Sequence, residues 1–212
     1  MTTPASLPPA APVRETFHHG DLRHALLVAA EAQLREVGPE NFSLREAARA
    51  VGVSPAAAYR HFTDKGALLA VLASQGFVRL ATAMEEAMAA AGKDPVARLR
   101  ANGRAYVEFA RREPALFGLM FGPYGAGGPH PVSGTGPKTG LSAFQLLQRA
   151  LDDLVLDGLM SAKRRAGAES LLWSSVHGLA TLANAGVSRE PAVTAFDNMF
   201  PLVRKALGLG KE

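Results

Sequence analysis

The sequence predicts an all-α protein, and three observations carry that expectation. Apolar residues recur at helical spacing from Leu22 to Leu207, and no stretch alternates apolar and polar as a strand does. Cap residues and glycines punctuate those runs: Ser43, Ser54, Asp64 and Asp94 stand where helices would start, and Gly38, Gly52 and Gly92 where they would stop. The chain has 212 residues and is 48% hydrophobic, enough for a sizeable core. About nine helices are expected.

Residues 1–16 are rich in Pro and Ala and read as a disordered tail. Arg14 within it is either part of a frayed end or an arm for a minor groove. Asp21 is a good cap for the first helix. Leu22, Leu26, Ala29, Ala30, Leu34 and Val37 form its buried face, and Gly38 ends it. His18, His19 and His24 lie close together, but no carboxylate or cysteine completes a metal set, so no metal is expected. One of these histidines, or Arg23, is placed near a phosphate instead.

Ser43 to Leu69 is the stretch around which the chain is organised. Ser43 and Glu46 have the spacing of a capping box, in which each side chain satisfies the other's free backbone N–H. Leu44, Ala47, Ala48 and Val51 follow at helical spacing, and Gly52 supplies the left-handed residue that ends the helix. Ser54 caps a second helix, and Pro55 suits its first position because the missing N–H would be unpaired there anyway. Asp64 caps a third, starting at Lys65. Two short helices joined by a tight glycine turn form a helix-turn-helix, whose second helix lies in the DNA major groove. At about 100° per residue, Ala58 and Phe62 fall together and face the core with Val53. Ala56 and Arg60 then point outward, with Tyr59 and His61 on opposite flanks, as a helix between two phosphate walls requires.

From Asp64 a long helix runs to Ala91, with Leu68, Leu69, Leu72, Phe77, Leu80, Met84 and Met88 as its apolar positions, and Gly92 ends it. Asp94-Pro95 starts the next, which runs to Arg112 with Leu99, Tyr106, Phe109 and Ala110. Pro114 restarts a short apolar segment. Residues 122–140 contain seven Gly and four Pro and read as a mobile surface loop. None of their glycine spacings makes a phosphate-binding loop. Amphipathic helices follow at Leu141 to Leu159, from Ala162 or Lys163 to Ala185, and at 191–207, where Pro201 is expected to kink the last.

At Ser43, Glu46-Ala47-Ala48, Gly52-Val53-Ser54, Tyr59, His61-Phe62, Lys65 and Leu68-Leu69 the sequence resembles the tetracycline-repressor-like (TetR) family of bacterial regulators. The resemblance covers the first eighty residues, and the Y-x-H-F-x-x-K spacing ties three contiguous helices together. It departs at Ala56 and Ala57, where many members carry Gly and Thr, so a hydroxyl that could reach phosphate is missing. Trp173 to Gly178 resembles a W-x-x-x-H-G signature in the C-terminal domain of one subset of the family. Trp173 and His177 share a helix face, and Gly178 allows close approach of a neighbouring helix. That motif reads either as part of a ligand pocket or as packing, with His177 a hydrogen-bonded core histidine.

The resemblance implies a DNA-binding domain at residues 17–65 and a helical regulatory and dimerisation domain at 66–208. It implies a homodimer in which the last two long helices of each subunit form a four-helix bundle. It also implies a transcriptional regulator, most often a repressor released from operator DNA by a small ligand; an activator, or a regulator gated by a protein partner, is the alternative. Carried onto matching positions, Tyr59, His61 and Lys65 would contact phosphate, as would Arg45 and the amides at the Ser43 helix start. Pro55, Ala56, Ala57 and Arg60 would face base edges, next to the cap Ser54.

Large adaptable side chains cluster between Phe77 and Tyr124. Met84, Phe109, Phe117, Met120 and Phe121, completed by Trp173 and His177, are the candidate lining of an effector pocket, although such residues also serve as plain core. The effector expected there is apolar or amphipathic, with the loop at 122–140 near its entrance. Composition excludes other classes. With no cysteine, disulfides, thiolate catalysis and Cys-ligated metal are out. No Ser/His/Asp set or paired carboxylates has supporting spacing, so neither an enzyme nor a bound cofactor is expected. Formal net charge is +4, yet residues 1–80 hold eight Lys/Arg against seven Asp/Glu. DNA affinity must therefore come from the placement of charge rather than its bulk. The first twenty residues lack a signal-peptide pattern, and no apolar run reaches the ~20 residues needed to span a membrane. A cytoplasmic protein with no membrane partner is expected.

Overall fold

The architecture is built along one long helix, α4 (Lys65–Ala90). Asp64 starts it by accepting a hydrogen bond from Ala67 N at 2.8 Å, and Gly92 follows its end. The structure is a computed structural model that describes residues 19–126 and 134–209. The expectations for residues 1–16, Arg14 and His18, and for the side chains of His19 and Asp21, lie outside what is described.

Before α4 come α1 (His19–Asn41), α2 (Leu44–Ala50) and α3 (Pro55–Tyr59). After it come α5 (Pro95–Arg112), α6 (Pro114–Phe121), α7 (Ala143–Leu156), α8 (Ala162–Arg165), α9 (Ala168–Asn184) and α10 (Ala192–Leu207). The described residues thus form ten helices, one more than expected. The stretch from Ala162 to Ala185 is not continuous: Gly167, with φ of 78°, breaks it into α8 and α9. Among the described residues the one β feature is an isolated bridge between Thr135 and Ser142.

α4 packs on α1, α5, α6 and α7, and α5 in turn packs on α7, α9 and α10. Leu68, Leu69, Leu72, Leu80, Met84 and Met88 are all buried along it. By length and a mean hydropathy of 1.5 this helix could cross a membrane, so the expectation that no run is apolar enough fails there. Its apolar positions face other helices, as in the core of a globular fold.

Several local expectations need correction. Ser43 Oγ accepts from Glu46 N at 3.4 Å, but Glu46 turns to Arg49 at 2.6 Å. The Ser43 N–H is satisfied instead by Gln33 Oε1 of α1 at 3.1 Å, so half of the capping box comes from another helix. α1 breaks at Gly38 and then makes one more turn through Pro39 to Asn41. Val37, just before the break, is 41% exposed rather than buried. α7 begins at Ala143, not Leu141, because Ser142 and Gln145 make a reciprocal capping box there. α10 continues through Pro201 with no break in its helical backbone.

The loop at 122–140 is not free where it is described. At its far end the buried carboxylate of Glu85, on α4, accepts from Lys138 N at 3.2 Å, Thr139 N at 2.8 Å and Thr139 Oγ1. Burial acts to raise the Glu85 pKa, but these hydrogen bonds and the Lys138 charge outweigh it, so the carboxyl stays below its ordinary value. Residues 134–140 are thereby strapped to α4.

Candidate nucleic-acid interface and effector cavity

The α2–α3 turn is closed by Gly52 N to Arg49 O and Val53 N to Ala48 O, both at 3.0 Å. Gly52 has φ of 73°, a conformation that a side chain disfavours. Ser54 Oγ accepts from Ala57 N at 3.3 Å, and Pro55 takes the first helical position. α3 itself is only five residues long, so Arg60 is its C-cap rather than part of its body.

Ala58 and Phe62 are buried, as the face analysis requires. Ser54, Pro55, Ala56, Tyr59 and Arg60 are exposed, as is Arg45 on α2; Ser43 and His61 are half-buried. Ala57 is a correction. It is only 9% exposed, because α3 packs closely enough on α2 to cover two successive positions, and it does not present a methyl outward. Arg23 stacks over the Phe62 ring at 5.2 Å.

Lys65 is already engaged. Its ammonium donates to Glu40 O at 2.7 Å and lies 5.6 Å from the centre of the Tyr124 ring. One N–H is used on Glu40, which leaves two donors. Tyr124 follows α6, so this contact joins the start of α4 to the region beyond it. An ionic junction ties α1 to the same region: Arg79 of α4 grips both oxygens of Glu31 at 2.6 and 2.7 Å, and Arg35 bridges Glu31 to Glu113 at the α5–α6 corner.

The seven candidate pocket residues do not line one cavity. Met84 and Trp173 line an apolar cavity of about 30 Å³ between α4, α5, α7, α9 and α10. Phe117, Phe121 and His177 line an open groove of about 280 Å³ between α6 and α9. Phe109 lines a groove of about 510 Å³ between α4 and α5, where charged side chains such as Arg79, Glu86, Arg104 and Glu108 stand beside alanines. Met120 is fully buried and lines none of the three.

Between the cavity and the α6–α9 groove the aromatic rings interlock. Tyr106 meets Phe117 at 5.7 Å and Trp173 at 5.5 Å, both edge to face, and Phe121 meets His177 at 4.7 Å. The Tyr106 hydroxyl and His177 Nδ1 are hydrogen-bonded at 2.8 Å. Burial raises the Tyr106 pKa and lowers that of His177, so this is a bond between two neutral groups. Trp173 and His177 thus pack against Tyr106, and each also reaches an opening, Trp173 the apolar cavity and His177 the α6–α9 groove. Gly178 has no neighbour within 4 Å of where its Cβ would sit, so no helix of the same chain uses its smallness.

Sequence reasoning missed Asn102, which is only 2% exposed and lines the apolar cavity. The signal was present, because Asn102 falls between Leu99 and Tyr106 on the buried stripe of α5 at spacings of three and four. It also missed the Glu31–Arg79 pair, whose partners are 48 residues apart and share no local pattern.

A helix-turn-helix with an exposed second helix, joined by one continuous helix to a helical bundle, defines the class of DNA-binding regulators that carry a separate regulatory region. Residues 26–72 match the model for bacterial regulatory proteins of the tetR family, and residues 99–201 match a tetracyclin repressor-like C-terminal domain. The chain belongs to the TetR family of transcriptional regulators. A protein of unknown function from Rhodococcus sp. RHA1 is 30% identical, with 92% of this chain and 100% of that one covered and a TM-score of 0.76. The TetR family regulator PfmR from Thermus thermophilus is 22% identical over 88% of this chain and 99% of that one, with a TM-score of 0.63. AibR, solved with isovaleryl coenzyme A and operator DNA, is 18% identical over 89% of this chain and 99% of that one, with a TM-score of 0.56. No curated protein matches the chain in sequence.

Proposed function

We propose that the protein is a homodimeric repressor that a small apolar or amphipathic molecule releases from its operator. The observation that carries this reading is α4. Its N-terminus adjoins α3 through Phe62 to Asp64, and the same helix puts Met84 into the wall of the apolar cavity. A molecule filling that cavity would press on the helix that orients α3. Residues 17–65 act as the DNA-binding domain and 66–208 as the regulatory and dimerisation domain. Tyr59, His61 and the two remaining donors of Lys65 contact phosphate, assisted by Arg45 and the amides at Ser43. Pro55, Ala56 and Arg60 face the bases, while Ala57 serves packing. That AibR was solved with both a small molecule and operator DNA supports a fold able to engage the two.

The dimer reading rests on apolar side chains left outside the bundle. Leu171 and Leu182 of α9 are 47% and 53% exposed, and Leu202 of α10 is 68% exposed. Gly178 lies between the two α9 leucines and offers its backbone to a partner helix. A symmetric pair of subunits would place two recognition helices about one DNA turn apart. Leu182→Arg is expected to give a monomer in sedimentation and to lose cooperative operator binding. A wild-type chain that sediments as a monomer yet binds DNA fully would overturn the scheme.

The test of the whole reading has two parts. DNA retained by the purified protein is sequenced to define the operator. That operator is then titrated with and without a ligand found by thermal shift. A ligand favouring the DNA-incompetent state by ~3 kcal/mol would weaken operator binding about 150-fold, and DNA would weaken ligand binding equally. Unchanged operator affinity at saturating ligand would mean that the regulator is gated another way, with a protein partner the next reading to test.

A further inference from the structure

Lys65, the cation assigned to phosphate at the start of α4, is held by two partners. Its Nζ donates to Glu40 O in the last turn of α1 at 2.7 Å, and it lies 5.6 Å from the centre of the Tyr124 ring. That is within the ~6 Å over which an aromatic face attracts a cation. The same ring lies along the first turn of α4: a Cβ on Gly66 would stand 3.9 Å from Tyr124 Cδ1, an ordinary contact. Lys65 and Tyr124 are both half-buried.

Local structure fixes where Tyr124 stands. The chain turns sharply after α6, with Gly125 N donating to Gly122 O at 3.0 Å and Ala126 N to Met120 O at 2.8 Å. A Cβ on Gly125 would come within 2.0 Å of Met120 O, so only glycine fits this turn. The ring is thus anchored to the end of α6 while it touches the start of α4. Such a partner matters for a lysine, whose flexible stem loses rotamer freedom when the ammonium grips a phosphate. Partners that already hold the head in place remove much of that cost. The ring and the carbonyl are neutral, so they hold the ammonium without cancelling its charge, and two of its N–H groups remain for phosphate.

We propose that Tyr124 is a positioning residue for DNA binding: its ring pre-sets the Lys65 ammonium for a phosphate, and it does so from outside residues 17–65. This rests on the reading of Lys65 as a phosphate contact. It makes DNA affinity depend on where α6 ends as well as on how α4 lies. Just before Tyr124 on that helix, Phe121 packs on Phe77 and His177, and Phe117 packs on Tyr106, so the placement of the ring is tied to the aromatic cluster.

The experiment is a double-mutant cycle on DNA affinity. The probe is a labelled duplex of about 30 base pairs and arbitrary sequence at low salt, because a phosphate contact does not depend on sequence. Fluorescence anisotropy compares the wild type, Tyr124→Leu, Tyr124→Phe, Lys65→Met and the variant carrying both Tyr124→Leu and Lys65→Met. Tyr124→Leu is expected to weaken binding about five-fold per Lys65, the scale of a cation–π contact. Tyr124→Phe should keep the wild-type affinity, and Tyr124→Leu should change nothing once Lys65 is replaced. Should Tyr124→Leu fold poorly, Tyr124→pentafluorophenylalanine keeps the shape of Phe while reversing the charge of the ring face, and it should weaken binding as Leu does. Equal losses with and without Lys65, a loss in Tyr124→Phe as large as in Tyr124→Leu, or no loss at all overturns the proposal; the ring would then only pack on α4. Failure of the underlying reading shows separately, as a Lys65→Met variant that binds as tightly as the wild type or a wild type that binds no duplex.

Discussion

The α2–α3 unit and the aromatic knot around Tyr106 are built on opposite terms. The first is assembled from neighbours in sequence: Ser54 caps its own helix, Gly52 turns its own chain, and the outward side chains do almost no structural work. The second draws Phe77 from α4, Tyr106 from α5, Phe117 and Phe121 from α6, and Trp173 and His177 from α9 into one cluster. In the first, a side chain can be lost with little change in folding. In the second, each ring supports several others, so function and stability cannot be separated by truncation.

The sharpest way to break that contrast is Phe117→Ala. Phe117 is 4% exposed and packs edge to face on Tyr106. Its loss is expected to cost ~3–5 kcal/mol of unfolding free energy, the range for a buried aromatic. Urea denaturation measures it, and a loss below ~1 kcal/mol would mean that the knot is not the core unit described. Arg60→Ala is the counterpart. It should leave the urea midpoint within the ~0.5 kcal/mol scatter of surface changes. At the operator it should remove ~1–3 kcal/mol of discrimination at one base position per half-site. Selected binding sites that stay the same with and without Arg60 would show that it reads no base.

The same contrast explains what can be read from the sequence. Ser54, Asp64 and Asp94 cap as expected because an N-cap needs only the two or three residues that follow it. Each buried position assigned to α4 is indeed buried, because a 26-residue stripe fixes its own phase. The pocket is not legible in this way. Composition groups seven residues of suitable type, and the structure divides six of them among three sites and buries Met120 away from all three, since convergence depends on how α5, α6 and α9 cross. The Gly/Pro loop misleads for a related reason. Its composition speaks for local freedom, while the acceptor that pins it, Glu85, lies 54 residues from Thr139. Ala57 fails at the finest scale, because periodicity gives the direction of a side chain but not how closely the next helix approaches.

The cap of α2 offers a smaller and more pointed test, since it is the one place where a local motif borrows from elsewhere. Gln33 of α1, not Glu46, satisfies the Ser43 N–H. Gln33→Ala is therefore expected to cost ~1 kcal/mol, the net worth of such a hydrogen bond. Glu46→Ala should cost only a few tenths, because it removes an exposed i,i+3 pair with Arg49. Paired thermal melts decide between them. The reverse order would mean that the reciprocal capping box forms in solution.

An effect no larger than that of Gln33→Ala lies at the seam between the two regions, where Glu31 of α1 joins Arg79 of α4. The two-pronged hydrogen bond from Arg79, with its charge and that of Arg35, outweighs burial and holds the Glu31 carboxyl below its ordinary value. Glu113 sits on the far side of Arg35 at 3.2 Å and competes for it. Because the folded pKa is depressed, the stabilisation is fully present above the unfolded glutamate value of about 4.3. It is lost as pH falls through the folded value, where the protonated carboxyl no longer attracts either arginine. Arg79 and Arg35 are partly exposed, so water screens the pairs and the whole contribution is expected to stay near ~1 kcal/mol or less. Glu31→Gln removes it at every pH. Urea midpoints of the two proteins should therefore differ by a constant amount from pH 7 to 5 and converge on further acidification. A difference that persists unchanged to pH 2 would show that Glu31 stabilises the seam by packing rather than by charge. The α1–α4 junction would then belong with the aromatic knot instead of standing apart from it as an ionic joint.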